Sequence, residues 1–299
     1  MRQPLSIFNF KNPKCWCVLF FLVIFIGDRV IAQVLKTIVN QSQFRYSKLY
    51  GQTAQSDFLL IGNSRGLVFH QPTIAKLTKK TTINLSYNSM PVDLACAIMK
   101  DYFDLYPAPR CIFFEITMLN YNNKKLISNF MMYRSSANIK KLVERNFPKL
   151  NWWCNFSHIY QYNGEVLLRT LYYMFKSDQD WALRQQANIS QVKKNINNME
   201  RFRYQAKQED LENLRDLVKL VKSKGSDIKL IIQPLFPGFV QKIKNFNDWK
   251  QRISKFTGLK IYDYSQIDFP DHYFVDRVHL NVSGAKAYAK LLYQDGIFK

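Results

Sequence analysis

The chain is poor in the residues that build metal sites and disulfide scaffolds, with four histidines and five cysteines in 299 residues. Cys15 and Cys17 fall in an apolar segment, which leaves Cys96, Cys111 and Cys154 in the body. An odd number without paired spacing excludes a disulfide framework, so burial must hold the core together. No histidine lies near Cys15-x-Cys17 and no small-residue lipobox precedes it, so both cysteines read as apolar filler. Zinc-finger spacing, an RNA-recognition signature and a purely basic tail are all missing, and nucleic acid is not expected as a partner. Acidic residues are scarce as well: 22 against 43 lysines and arginines, for a formal charge of +21. That imbalance asks for an anionic partner, which leaves an acidic polymer or an anionic membrane surface. There is no internal repeat.

The amino-terminal apolar run is short. "CWCVLFFLVIFIG", from Cys15 to Gly27, counts 13 residues, where about 20 are needed to cross the hydrocarbon core. Arg2, Lys11 and Lys14 precede it, and a cationic flank before a short apolar stretch marks a secretory signal or a signal-anchor. Asp28 and Arg29 interrupt the run, after which "VIAQVLKTIV" resumes it. A helix continuing through both would make residues 1–35 an uncleaved anchor and 36–56 a polar connector. Cleavage after Ala32 would release a secreted protein instead, and a buried core helix is the third reading. Either export reading puts residues beyond about 35 outside the cytoplasm, as a periplasmic or cell-surface domain.

What is present downstream is ordinary globular composition, 47% hydrophobic and 22% charged. Five short apolar runs read as strands: residues 57–61, 82–86, 111–117, 227–234 and 259–265. Between them run helical patterns, at Pro91–Tyr106, Gln208–Lys224 and Gly238–Phe256, with another helix opening near Gly284. Strands alternating with helices predict an α/β domain over 57–299, built on a parallel, doubly wound sheet. Residues of about 120–207 break the alternation and read as a helical insertion at a strand's carboxyl end, either a lid over a site or a cap that only covers core. Trp152, Trp153, Tyr172 and Tyr173 offer a sugar-stacking platform in that insertion, or plain core. The basic run of Lys193, Lys194, Arg201 and Arg203 reads as a solvated face that would also attract anionic lipid.

Two stretches carry chemistry. In "DFLLIGNSRG" a strand runs into Gly-Asn-Ser, placing Ser64 at the sheet's carboxyl edge at the start of a helix, where it is either a nucleophile or a helix cap. Near the other end, "FVDRVHLNVSGA" sets Asp276 three residues before His279. Serine attacks only when a base takes its proton, and that base needs a carboxylate on its far nitrogen, which a D-x-x-H loop supplies from one turn. His70, His158 and His272 have no carboxylate at comparable spacing inside a strand-loop-helix context. Arg65, next to the serine, either steers an anionic substrate or pairs with an acid beneath the sheet edge.

"IGNSR" followed more than 200 residues later by "DRVHLNVSGA" resembles the first and last blocks of the SGNH/GDSL hydrolase superfamily. The resemblance spans about residues 57–294 and is closest to the membrane-anchored SGNH-like proteins that work beside membrane-bound O-acyltransferases, in alginate acetylation and teichoic acid D-alanylation. It implies a flavodoxin-like three-layer α/β/α sheet, with Ser64 as nucleophile, His279 as base and Asp276 as its orienting carboxylate. It also implies an acyltransferase or esterase moving acyl groups, most simply acetyl, on a cell-surface polysaccharide, with no metal or nucleotide cofactor. Partners would be the acyl-ester or polysaccharide substrate, the membrane and an integral O-acyltransferase. The middle blocks depart from the family pattern: Ser86 stands where a glycine is expected, and no G-x-N-D follows the third strand. On this reading Ser86 gives its backbone N–H to the oxyanion and Asn88 a side-chain donor, while Glu115 or Asn120 fills the third-block region. The alternative function is a non-catalytic accessory subunit that docks the acyltransferase.

Overall fold

The computed structural model describes residues 13–120 and 123–298; Arg2 and Lys11 of the cationic flank lie outside the described residues. The chain begins with α1 (Pro13–Gln41) and α2 (Arg45–Tyr50). There follow β1 (Phe58–Ile61), α3 (Gln71–Thr78), β2 (Thr82–Asn84), α4 (Val92–Leu105) and β3 (Cys111–Glu115). The insertion carries α5 (Lys125–Ser128), α6 (Ala137–Asn146), α7 (Pro148–Phe156), α8 (Glu165–Tyr172) and α9 (Ile189–Asn197). The sheet resumes after α10 (Gln208–Ser223) with β4 (Asp227–Ile232), α11 (Phe246–Thr257), β5 (Ile261–Asp263) and the closing α12 (Val282–Gln294).

The five strands are all parallel, in the order β2-β1-β3-β4-β5. This is a doubly wound order, whose ligand crevice lies beyond the strands' carboxyl ends where the order reverses, here between β1 and β3. β1 and β3 are buried along their whole length, as strands covered on both faces must be. α3 packs on α12, while α4 packs on α10 and α10 on α11.

Several elements are shorter than their apolar patterns suggest, and in each case a side chain captures backbone groups. β2 stops at Asn84, whose Oδ1 accepts the Ser86 N–H and bends the chain away from the sheet. The helix read from Gly238 starts only at Phe246, because the Asn245 amide clamps the N–H and C=O of Tyr204 and a bridge joins Phe202 to Ile243.

α1 is one continuous helix of 29 residues, long and apolar enough to cross a membrane; at 1.5 Å per residue it extends about 43 Å. It runs through the Asp28-Arg29 interruption because both side chains are satisfied inside the protein. Asp28 accepts from Ser157 Oγ (2.5 Å) and from the N–H groups of His158 (2.7 Å) and Ile159 (3.2 Å). Arg29 pairs with Asp28 at 2.9 Å and donates to the Phe156 carbonyl.

Residues 36–56, read as a polar connector, hold the end of α1 and a buried α2. Arg45 is 3% exposed, pairs with Asp178 at 2.9 Å and donates to the Ser86 carbonyl. A single charge there would be costly, and the partner comes from 133 residues away.

Candidate active site

β1 delivers its last residue, Ile61, to the carboxyl edge, and the chain then turns through Gly62-Asn63-Ser64-Arg65. Asn63 Oδ1 accepts the Arg65 N–H at 2.9 Å, which closes the turn. Two glycines make room for it: a Cβ on Gly62 would come within 2.7 Å of Glu115 Cβ and 2.9 Å of Gly66 Cα, and one on Gly66 within 2.3 Å of Ser86 Oγ. The helix expected to open at Ser64 does not. A 3-10 turn at Gly66–Val68 intervenes, and α3 starts at Gln71 with His70 as its cap. The Asn84 amide donates to the carbonyls of Gly66 and Phe69, groups that a continuing helix would have used.

The opposite side of the site is a self-closing loop. Asp276 Oδ1 accepts from the N–H groups of Val278 (2.7 Å) and His279 (2.9 Å), and its Oδ2 accepts from His279 Nδ1–H at 2.8 Å. The three-residue spacing is what lets one carboxylate hold both the turn and the ring. Behind it, Asn281 caps α12 through Ser283 and Gly284 N–H (3.0 Å each) and donates to the His272 carbonyl.

These two segments, 215 residues apart in sequence, meet where Ser64 Oγ lies 2.8 Å from His279 Nε2. Because Nδ1 donates to Asp276, Nε2 is left as the acceptor for the serine proton. Burial alone would raise the Asp276 carboxyl, but the His279 ring and the two loop N–H groups outweigh it and hold it below its ordinary value. The carboxylate thus stays ionised opposite an imidazole that must become positive.

The remaining site candidates separate. Asn88 is exposed and lines the cleft with Ser64 and His279. The Ser86 N–H is taken by Asn84 Oδ1 (2.9 Å), and the fully buried Ser86 side chain packs behind Gly66. Arg65 points into the protein: it is 4% exposed, donates to the Gln233 carbonyl at 2.6 Å and stands 3.9 Å from Glu115. Glu115 is fully buried as that arginine's partner. Burial pushes its carboxyl above the ordinary value, against the pull of Arg65 and of the Thr117 hydroxyl, which donates to it. Asn120 accepts the Gln205 N–H and ties down the insertion's end. The Arg65 and Ser86 amides are thus engaged within the protein, while Ser64 and Asn88 line the cleft.

The cleft encloses about 340 Å³. Its far wall comes from the insertion: Arg169, Tyr173, Trp181, Ala182 and Leu183. Leu183 is fixed there by accepting the Val282 N–H at 2.8 Å, right beside the His279 loop. Trp181 stacks on Tyr173 with centroids 5.8 Å apart and donates to Asp178, which also holds Arg45. Of the proposed stacking residues only Tyr173 lines the cleft; Trp152, Trp153 and Tyr172 are exposed elsewhere. Trp181 and Arg169 were not foreseen, since nothing local distinguishes them from other residues of a polar, aromatic insertion. Lys193, Lys194, Arg201 and Arg203 are solvent-exposed. Among the described residues no cluster of histidine, cysteine and acidic side chains is placed to hold a metal ion.

The sequence matches no protein-family model, and no curated protein matches it significantly.

Proposed function

We propose that the chain is an extracytoplasmic, membrane-tethered serine acyltransferase or esterase of the SGNH type, acting on O-acyl groups, acetyl first, of a cell-surface polysaccharide. The observation that carries this reading is the continuous relay from Ser64 Oγ through His279 to Asp276, with both links at 2.8 Å. His279 Nε2 takes the hydroxyl proton as Ser64 Oγ bonds to the ester carbonyl carbon, and Asp276 offsets the charge that appears on the ring. The tetrahedral oxyanion collapses by breaking the C–O bond to the leaving alkoxide, which takes the proton back from His279. A sugar hydroxyl or water, deprotonated in turn by His279, then attacks the acyl-serine and restores Ser64. The wall formed by Trp181 and Tyr173 suits a sugar ring, with Arg169 beside it for an anionic group.

One observation favours the second reading, an accessory subunit that docks an integral O-acyltransferase. The Ser86 amide is already bonded to Asn84, and a missing oxyanion donor costs about 3 kcal/mol of transition-state stabilisation. A chromogenic acetyl ester and a serine-reactive fluorophosphonate separate the two. The enzyme reading expects turnover and labelling by the full-length protein, both abolished in Ser64→Ala. If the wild type neither turns over the ester nor takes the label, the accessory role stands instead.

A further inference from the structure

We infer that α7 of the insertion lies in the headgroup–acyl boundary of the bilayer that α1 crosses, so that the protein holds the membrane by a helix and an aromatic ledge together. Trp152, Trp153 and Phe156 are 58%, 48% and 67% exposed and form one surface: the tryptophans stand with ring centroids 4.8 Å apart, and Phe156 stacks on Trp152 at 6.4 Å. Tyr160 adjoins Trp153 at 6.5 Å. Large aromatics left in water at this density are a cost that needs an occupant.

The ledge is joined directly to α1. The Arg29 guanidinium donates to the Phe156 carbonyl and lies over the Phe25 ring at 3.5 Å, and Asp28 accepts from residues 157–159. Trp152, Trp153 and Phe156 therefore sit at the level of the last residues of the apolar run, where Phe25 and Ile26 are themselves exposed. Exposed Lys149 on α7, and Arg134 bonded to Asn155, give the aromatic surface a basic rim. Indole and ring faces with a lysine and arginine border are the chemistry of the membrane interface, where the rings sit at headgroup depth and the cations meet lipid phosphates. A bilayer is favoured over a protein partner because the charged pair within α1 is already satisfied by the insertion, and the ledge is joined to a helix long and apolar enough to cross one.

The ledge also fixes the height of the site. The Gln43 N–H donates to the carbonyl of Tyr173, a residue of the cleft wall. From Arg29 to its end at Gln41, two residues before Gln43, α1 runs 12 residues, about 18 Å along the helix axis. The cleft is thus held at a short, set distance from the lipid surface, within reach of a substrate that is itself anchored there. This placement does not depend on the catalytic reading.

Quenching by bromolipids tests the placement on the full chain, reconstituted alone into vesicles whose lipids are brominated near the carbonyl end of the acyl chains. The emission carried by the pair is the difference between wild type and Trp152→Phe/Trp153→Phe, which removes the contributions of Trp16, Trp181 and Trp249. The pair should lose most of its intensity in brominated relative to unbrominated vesicles, and aqueous iodide should not reach it. Full emission in bromolipid together with quenching by iodide would overturn the inference and leave α7 as a surface for another protein. Both substituted positions are exposed, and unchanged far-ultraviolet circular dichroism verifies that the fold is intact.

Discussion

The serine end of the relay rests on buried, long-range contacts, whereas the Asp276–His279 end is a local turn open to solvent. Ser64 is set by two glycines, by Ser86 behind Gly66, and by an Arg65–Glu115 pair in which neither side chain exceeds 5% exposure. Asp276 keeps 47% of its side chain exposed and His279 24%, and the bonds of the Asp276 side chain span two or three residues, with the Phe236 N–H donating to the Arg277 carbonyl as a longer tie. The first arrangement ties the position of Ser64 to global stability. In the second, the histidine's geometry can be lost while the fold persists.

Asp276→Asn breaks the comparison most sharply. The amide keeps a side-chain oxygen for the Val278 and His279 N–H groups but no longer fixes the ring tautomer or offsets its charge. Turnover of an acetyl ester should fall about 10³- to 10⁴-fold, with the melting temperature nearly unchanged. A fall in melting temperature that accounts for the lost activity would show that this loop too is a global element.

Arg65→Met attacks the other end, where the expected loss is in stability. It strands a fully buried carboxyl, and removing one member of a buried pair costs about 3 kcal/mol near neutral pH. The dependence on pH has a definite sign. Glu115 is held above its ordinary value in the fold, so the folded state binds the proton more tightly than the unfolded chain. Its contribution to stability therefore declines as pH rises from the unfolded value of about 4.3 through the folded one. Without Arg65 the decline should be steeper, and Arg65→Met/Glu115→Gln should flatten it. Urea melts of the three proteins across that range check this. A loss in Arg65→Met that does not vary with pH would mean that lost packing, not the stranded carboxyl, is responsible.

The same contrast explains what the sequence allowed one to read. The contact of Ser64, His279 and Asp276 was legible because each is placed by near neighbours: a strand running into Gly-Asn-Ser, and a carboxylate spaced to close on its own histidine. The alternation of strands and helices likewise announced a parallel sheet, though not that β1 would lie between β2 and β3. That the Ser86 amide is engaged by Asn84, two residues earlier, was not legible, because a sequence does not show which acceptor an N–H will choose. Arg65 could be read toward substrate or toward an acid beneath the sheet edge, and the fold sets it against buried Glu115. Trp181, Tyr173 and Arg169 reach the cleft through tertiary contacts of the insertion, such as Leu183 with Val282 and Asp178 with Arg45. No period or spacing encodes such contacts.

Asn281→Ala is the mildest probe and the one that tests where the two ends join. Asn281 is buried, caps α12 and anchors the loop carrying His279 through the His272 carbonyl at 2.7 Å. Loss of a cap of this type costs about 1 kcal/mol, a shift of a few degrees in melting temperature for a chain of this size. If the Asp276 turn is self-sufficient, its three internal bonds will hold His279 in place and turnover will change little once the protein is folded. If Ser64–His279 contact depends on the helix behind the loop, turnover will fall well beyond the fraction unfolded, with the apparent KM for a small ester unaltered. Measuring kcat and KM several degrees below the melting transition distinguishes the outcomes, and the structure favours the first: Asp276 is bonded to the His279 ring and main chain alike, so the histidine is held by its own loop before the helix contributes.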